Sequence, residues 1–397
     1  MSDYTQNEIN AVSTVPSVKN THINHLEDVM FLDGTKGLQT TIYFIEQLYR
    51  SLCGKVNDVN ITTKWDGSPA IVFGKNPDNG KQFVATKSAF NKEPKLMYNF
   101  DDIRRYYPVG ELNKVFETFW TYVPVIDGVY QGDLMFLPSN LVYRKIQDKT
   151  YVIFTPNTIT YAVPYDTNLA EIITRTKLGV VVHTKYIGDT FATLQPCYNF
   201  NIGELPVTPN TWVRDASYTL SRVLTDLEKD ASHNHFYILH GLLKIVNPQV
   251  LNKFVTLKQL QDLTIHFIND MIRQNKSTSI CAADWLKYVR DQLDAKIILA
   301  KKTATKIKLT KDKDELMVWI DDNFVQLMTI FQLHMQIVYL KNSFLRVLNK
   351  EEQPIKTFIG DKPTTPEGYV LSNKQNQVVK LVDRFEFSYH NFKRNDV

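Results

Sequence analysis

The chain has 397 residues, of which 43% are hydrophobic and 12% aromatic; this composition excludes a disordered protein and allows two or three domains. The net charge of +4 permits a nucleic-acid partner without requiring one. Three cysteines without a CxxC pair argue against a disulfide framework or a zinc ribbon and favour a reducing, cytoplasmic compartment. The polar N-terminus has no apolar h-region, so we expect no signal peptide, and no apolar run approaches the roughly 20 residues of a membrane span.

The first half of the chain alternates between short helical and strand patterns. Residues 1–20 are polar and predict a disordered tail. Apolar residues at helical spacing then predict a helix that ends at Gly54. From 57 to 90, β-branched and aromatic runs predict strands, with NPDNGK as a hairpin turn. A helical pattern at 109–123 precedes further strand patterns.

The second half is helical almost throughout from 215 to 350. Apolar positions from Leu316 to Leu345 predict one long amphipathic helix. Strand patterns return after residue 366, but they are too few for a separate domain, so we expect them to join the first sheet. The sequence therefore predicts an α+β fold with mainly antiparallel sheets. One domain comprises residues 21–214 and 351–397, and residues 215–350 form an inserted all-α domain.

The segment TTKWDGS holds a candidate nucleophile, Lys64, inside a strand-like run. A lysine becomes nucleophilic when burial or a cationic neighbour lowers its pKa. Asp66, two residues on, points to the same side of an extended chain. Gly67 would let the backbone approach a phosphate or ribose closely. The alternative is that this segment is only a hairpin, with Lys64 as a charge on a strand edge.

KWDGS resembles the KxDG signature of the covalent nucleotidyltransferases, the superfamily of polynucleotide ligases and mRNA capping enzymes, and is closest to the RNA-ligase form. Later segments resemble further motifs of that superfamily and follow in the same order. They are ATKSAF with Lys87, GVYQGDLMF with Asp133, TITYAVPY with Tyr161, PEGYVL with Glu367 and VVKLVDR with Lys380. The resemblance covers about residues 55–190 and 360–390, and it implies the adenylation-domain fold of ligases.

The resemblance also implies a role for each matched residue. Lys64 would attack the α-phosphate of ATP and form lysyl-AMP, with Mg²⁺ or Mn²⁺ at Glu367 and Asp66. Tyr161 would stack on adenine, although it could equally be a core residue. The implied nucleotide-binding residues are Thr63, Asp66, Gly67, Lys87, Asp133, Tyr161, Glu367 and Lys380.

Three features depart from the superfamily pattern. Asp133 stands where the family has glutamate. Val382 stands where the family has a second lysine, and Arg384 is a candidate substitute for it. The chain between Tyr161 and Glu367 is much longer than in the family, because the helical segment lies there.

The resemblance favours an ATP-dependent RNA ligase or RNA-repair enzyme, similar to bacteriophage proteins, because too few residues follow Arg384 for the oligonucleotide-binding barrel of DNA ligases and capping enzymes. The expected substrate is RNA, or DNA, with 5′-phosphate and 3′-hydroxyl ends. We expect a monomer in a host cytoplasm. Two alternatives remain: an adenylyltransferase acting on a protein or small molecule, and a non-catalytic nucleic-acid-binding module on a decayed nucleotidyltransferase fold.

The most basic segment, AKIILAKKTATKIKLTKDK, lies in the helical region. Its residues Lys301, Lys302 and Lys306 are candidates for contact with nucleic-acid phosphates. A solvated helix end explains the same charge pattern.

Overall fold

A computed structural model describes residues 23–388, except 57, 147, 201, 202, 204, 206, 207, 219, 221, 277–279, 351 and 352. The predicted disordered tail, residues 1–20, lies outside the described residues. Within them the chain is a mixed α+β protein whose strands pair mainly antiparallel. The predicted α+β class with antiparallel sheets is therefore confirmed.

Helices occupy the start of the described chain and most of its second half. They are α1 (Val29–Leu52), α2 (Phe100–Tyr106), α3 (Glu111–Tyr122), α4 (Asn168–Arg175), α5 (Asp226–Leu243), α6 (Pro248–Thr256), α7 (Lys258–Arg273), α8 (Ala282–Leu299), α9 (Thr303–Asp322) and α10 (Phe324–Leu348). The long helix predicted across 316–345 is thus two helices, α9 and α10, which are separated at Asn323. α10 is buried over most of its surface, so its apolar residues extend beyond one stripe.

Strands occupy the segment between α1 and α5 and return after α10. They are β1 (Val59–Lys64), β2 (Ala70–Lys75), β3 (Gln82–Ala85), β4 (Val129–Phe136), β5 (Val142–Ile146), β6 (Lys149–Phe154), β7 (Thr160–Pro164), β8 (Leu178–Ile187), β9 (Gln195–Cys197), β10 (Thr211–Asp215), β11 (Lys356–Ile359), β12 (Lys362–Thr364), β13 (Gly368–Asn373) and β14 (Val378–Val382).

The chain divides into two compact units. Unit 1 comprises, among the described residues, Gly67–Ser139 and Arg175–Asp215. Unit 2 comprises, within the described part of the chain, Ile23–Asp66, Asn140–Thr174 and 216–388. The helical segment thus belongs to the same unit as β1 and the last strands. The division into one domain at 21–214 and 351–397 and an inserted all-α domain at 215–350 stays a prediction.

Unit 1 is built on one six-stranded sheet. Its strand order is β10-β8-β4-β2-β3, with β9 beside β8, and the β10–β8 pair is parallel. β2 and β3 form the hairpin that the NPDNGK turn predicts. Helix α3 covers the sheet through aromatic contacts such as Phe73–Phe119, whose ring centroids are 4.9 Å apart.

Unit 2 contains two antiparallel sheets. The five-stranded sheet has the order β12-β11-β7-β6-β5, and the three-stranded sheet has the order β1-β13-β14. β1 pairs with β13 and not with β2, so TTKWDGS is not the turn of a local hairpin. The last strands therefore join the strand of Lys64, as the sequence analysis expected.

The three-stranded sheet buries one face against helices. Ile61 of β1, Leu371 of β13 and Val379 of β14 are aligned across the sheet and belong to the core that α1 and α10 also form. Side chains alternate between the two faces along each strand. The residues at the alternate positions of these strands, which include Lys64 and Lys380, therefore lie on the opposite face.

Two buried ion pairs hold this sheet to the helices. The Nζ of Lys341 on α10 lies 2.6 Å from Oε1 of Glu27 and also donates to the carbonyl oxygen of Val382 at 3.1 Å. The Nη1 of Arg384 lies 2.9 Å and 3.1 Å from the two carboxylate oxygens of Asp28. Glu27 and Lys341 are each 1% exposed, so protein groups and not water compensate their charges, and Arg384 Nη1 also lies 3.9 Å from Glu27 Oε1.

Replacing Lys341 by methionine should destabilise the protein strongly, because it leaves the buried Glu27 carboxylate without its hydrogen-bonded cation and with only the more distant Arg384 guanidinium nearby. We expect the free energy of unfolding to fall by about 3–5 kcal/mol. Urea unfolding followed by circular dichroism measures this change.

The matched control is the double variant Glu27→Gln/Lys341→Met, which removes both charges. It should recover most of the lost stability, since a buried ion pair can often be replaced by neutral groups at little cost. A double variant as unstable as Lys341→Met would show that the lost side-chain packing, and not the unpaired charge, dominates.

Candidate active site

Lys64 is the last residue of β1, and main-chain bonds hold the strand on both edges. The N–H of Thr63 donates to the carbonyl oxygen of Ala216 at 2.6 Å. On the other edge, Lys64 is aligned with Gly368 of β13. A Cβ atom at Gly368 would collide with the carbonyl oxygen of Leu381, so the close approach of β13 to β14 at this position requires glycine.

Strand register places both site lysines on one face of the sheet. Thr62, two residues before Lys64, is aligned with Val370, and Val370 is aligned with Lys380 of β14. Residues that lie opposite each other in a sheet point to the same face, as do residues two apart in one strand. Lys64 and Lys380 therefore share the face that points away from the helical core. Thr63 precedes Lys64 in the strand, so its side chain has the opposite orientation, and its nucleotide contact stays a prediction.

Glu367 precedes β13 and forms an ion pair with Lys64. The Lys64 Nζ donates to Oε2 of Glu367. The Glu367 side chain is only 12% exposed, whereas that of Lys64 is 30% exposed. Burial raises the pKa of Glu367, the neighbouring Lys64 opposes that rise, and Asp66 adds to it. The carboxylate is therefore a stronger base than an exposed glutamate.

Lys380 is 8% exposed and lies among charged groups. Burial and, next in size, the positive charge of Lys64 lower the pKa of Lys380 to about 8, against the opposing effect of Glu367. The Lys380 amine therefore loses its proton near pH 8 and not near pH 10.5, where an ordinary lysine does.

Asp66 is buried, and its carboxylate is bound to the turn between β6 and β7. It accepts hydrogen bonds from Asn157 Nδ2 at 2.7 Å and from the N–H groups of Thr158 and Ile159 at 2.7 Å and 2.9 Å. These bonds occupy most of the accepting capacity of a carboxylate. The geometry therefore argues against Asp66 as a metal ligand and gives it a structural role.

Tyr161 is 4% exposed and packs among aromatic rings. Its ring centroid lies 5.1 Å from that of Trp65 and 5.5 Å from that of Phe154, with interplanar angles of 26° and 17°. Its hydroxyl oxygen accepts the N–H of Asp66 at 2.7 Å. Such burial leaves no ring face for adenine, so the structure favours the core alternative for Tyr161.

Three predicted nucleotide-binding residues belong to unit 1. A Cβ atom at Gly67 would lie 2.5 Å from the Cβ of Asp133, so glycine here permits close packing on β4. An Oδ atom of Asp133 lies 3.7 Å from His183 Nε2. Lys87 is exposed and begins a 3₁₀ turn after β3, so the prediction that it lies on a strand is wrong. The nucleotide contacts of all three stay predictions.

The Arg384 guanidinium is already bound by other side chains, which argues against the predicted phosphate contact. It is bound to Asp28 and, through Nη2, to Asn269 at 2.7 Å, and the side chain is 3% exposed. Lys301, Lys302 and Lys306, by contrast, are exposed where α8 connects to α9. They are accessible to a polyanion, as the predicted phosphate contact requires.

A divalent metal ion would have Glu367 as its protein ligand at this site. Among the residues that the structure describes, no group of three or more His, Cys, Asp or Glu could hold a metal ion. Mg²⁺ commonly binds through one or two carboxylates, with phosphate oxygens and water completing its coordination. Glu367 fits that arrangement, and Asp66 does not.

Sequence reasoning missed Asn157 and Trp65. The signal for Asn157 was the polar turn TPNT between two strand patterns, and the signal for Trp65 was its place between Lys64 and Asp66.

The fold and site define a mixed α+β protein with two lysines and a buried glutamate on one face of an antiparallel sheet. The chain belongs to a family of unknown function, DUF6267, whose family profile matches residues 20–396. No curated protein and no solved structure matches the chain. Among the described residues, no helix combines the length and apolarity that crossing a bilayer requires.

Stability should rise with pH through the titration of Lys380. Its folded-state pKa of about 8 lies below the usual 10.5, so between these values the unfolded chain binds more protons than the folded chain. The free energy of unfolding, relative to Lys380→Met, should therefore increase from pH 8 to pH 10.5 with a slope of at most about 1.4 kcal/mol per pH unit. Urea unfolding at several pH values measures it.

The control is Lys374→Met, because Lys374 follows β13 in the same unit and is 73% exposed. Its stability difference from the unsubstituted protein should not vary with pH in this way. A flat difference for Lys380→Met as well would contradict the lowered pKa.

Proposed function

We propose that the protein is an ATP-dependent nucleotidyltransferase of the RNA-ligase type, with Lys64 as the residue that becomes adenylylated. One observation carries the proposal: the Lys64 amine is bound to the buried carboxylate of Glu367, on the same sheet face as Lys380. The order of the motifs in the sequence and the antiparallel α+β architecture support it. The nucleotidyltransferase fold itself is part of the proposal.

In the first step, the ion pair would supply a neutral amine. A proton passes from Lys64 Nζ to the Glu367 carboxylate, whose raised pKa makes this transfer less costly. The Lys64 nitrogen attacks the α-phosphorus of ATP, the N–P bond forms, the bond to the bridging oxygen breaks and pyrophosphate leaves. The product is lysyl-AMP.

Lys380 would act on the phosphate charge. In its protonated form it neutralises an α-phosphate oxygen, and its proximity to Lys64 disfavours two simultaneous ammonium charges. Mg²⁺ or Mn²⁺ would supply additional neutralisation of phosphate charge, and Glu367 would be its protein ligand only while that carboxyl does not carry the Lys64 proton.

In the following steps, a 5′-phosphate oxygen of the substrate would attack the phosphorus of lysyl-AMP and release the Lys64 amine. A 3′-hydroxyl would then displace AMP and join the ends. This cycle comes from the family resemblance. The proposed substrate is RNA, or DNA, and the proposed setting is a monomeric enzyme in a reducing host cytoplasm.

The purified protein incubated with α-³²P-labelled ATP and Mg²⁺ should retain label after denaturation, because lysyl-AMP is covalent. Lys64→Arg should abolish labelling. Glu367→Gln should slow it by roughly 10²–10⁴-fold, the usual contribution of a general base. Scintillation counting of the denatured protein band measures the rate.

The matched control is Lys374→Arg, an exposed lysine of the same unit, which should label normally. Absence of label with ATP and with GTP would reject the nucleotidyltransferase. Label on the protein without joining of 5′-phosphorylated RNA would favour the adenylyltransferase that modifies a protein or small molecule.

The triple variant Lys301→Glu/Lys302→Glu/Lys306→Glu should weaken RNA binding and leave lysyl-AMP formation intact. If each lysine contacts one phosphate, the slope of log K against log salt concentration should fall by about 2 for single-stranded RNA. Fluorescence anisotropy with a labelled oligonucleotide measures it.

Charge reversal of the exposed residues Lys287, Lys145 and Lys114, which lie outside the basic segment, is the control for net charge. Equal loss of affinity in both variants would show that the whole-protein charge, and not the connection between α8 and α9, determines binding.

A further inference from the structure

The two residues that follow Lys64 are held by the five-stranded sheet. The N–H of Asp66 donates to the hydroxyl oxygen of Tyr161 on β7, and the Trp65 ring stacks on the Tyr161 ring. Lys64 itself is paired within the three-stranded sheet, where it is aligned with Gly368 of β13. The end of β1 is therefore fixed from two directions within unit 2.

The Asp66 carboxylate completes this arrangement, which we call the Asp66 anchor: Asp66 with Asn157, Thr158, Ile159 and Tyr161. Four hydrogen bonds of 2.7–2.9 Å join Asp66 to the other members. Asp66 is 7% exposed, so little of this bonding is exchanged with water. The anchor is accordingly a rigid element immediately beside the candidate nucleophile.

We propose that Tyr161 and Asn157 are positioning residues that hold Lys64 against Glu367 through the Asp66 anchor. This inference rests on the proposed function for its catalytic meaning. A lysine side chain has four flexible methylene groups, and its neighbour across the ladder, Gly368, has no side chain to restrict it. The direction of the Lys64 side chain is therefore set by its own backbone, and the anchor fixes that backbone.

The physical argument is one of alignment. In-line attack requires the amine within about 3–3.5 Å of the phosphorus, and small misplacements slow such reactions strongly. Loss of one of the four bonds to Asp66 loosens the chain at residues 65–66 and allows Lys64 to shift relative to Glu367. Binding of ATP does not depend on this alignment, so its KM should not change.

Tyr161→Phe separates the positioning role from the adenine-stacking role. Phenylalanine keeps the aromatic ring and removes the hydroxyl oxygen that accepts the Asp66 N–H. If Tyr161 positions Lys64, the rate of lysyl-AMP formation should fall by about fivefold to a hundredfold, the range for a buried N–H left without its acceptor, and the KM for ATP should not change. If Tyr161 instead stacks on adenine through its ring, neither the rate nor the KM should change.

Asn157→Ala is the second variant, because Asn157 is exposed and its truncation leaves the core intact. It should also lower the rate at unchanged KM. The matched control is Tyr143→Phe, an exposed tyrosine of the same sheet, which should leave both constants unchanged.

A second readout does not depend on activity. Acetic anhydride acylates free amines, and mass spectrometry of the Lys64 peptide, relative to the Lys374 peptide, gives the accessibility of Lys64 to the reagent in the intact protein. Release of Lys64 from Glu367 should raise its acylation severalfold in Tyr161→Phe and Asn157→Ala.

The outcomes distinguish this inference from the proposed function. Slower lysyl-AMP formation with faster acylation of Lys64 supports both. Faster acylation in the variants, in a protein that forms no lysyl-AMP, supports the anchor and rejects the proposed function. Unchanged rate and unchanged acylation overturn the anchor, and so does a raised KM at unchanged rate, which would indicate contact with ATP.

Discussion

The ion pair between Lys64 and Glu367 is the interaction on which the candidate site depends. An exposed lysine keeps its proton at neutral pH and cannot attack a phosphorus atom. Here a buried carboxylate lies against the amine, and a second lysine, Lys380, shares the same sheet face. Burial raises the pKa of the acid and lowers the pKa of Lys380, so the free energy of moving a proton among these groups is smaller than in water.

The three-stranded sheet makes this arrangement by separating two kinds of residue on its two faces. Ile61, Leu371 and Val379 enter the helical core on one face. The alternate positions carry the lysines on the other face, because the side-chain period of a strand is two residues. A register shift by one residue would exchange the faces and bury Lys64 among apolar side chains, so core packing and chemistry specify the same register.

Much of this was predictable from the sequence, in particular the α+β class, the NPDNGK hairpin and the return of the last strands to the strand of Lys64. These rest on local periodicity and turn composition, which a single sequence displays. The environments of Tyr161, Asp66 and Arg384 were not predictable, because they depend on which distant residue lies beside each one. Asn157 can donate its hydrogen bond to Asp66 only after two sheets have formed. Asp28 can accept from Arg384 only after α1 has packed. The sequence pattern indicates which type of residue lies on which face of a strand or helix. The side-chain partners of a residue follow only from the tertiary structure.

The buried amine of Lys341 connects the helical segment to the three-stranded sheet. It lies on α10, within the segment expected to be an inserted domain, yet it contacts the carbonyl oxygen of Val382 and the carboxylate of Glu27 at opposite ends of the chain. A lineage that lost the helical segment would leave the buried Glu27 carboxylate without its hydrogen-bonded cation beside the sheet of Lys64. In this family, helices and sheet are therefore expected to be inherited as one inseparable piece, unlike accessory domains that are exchanged between enzymes.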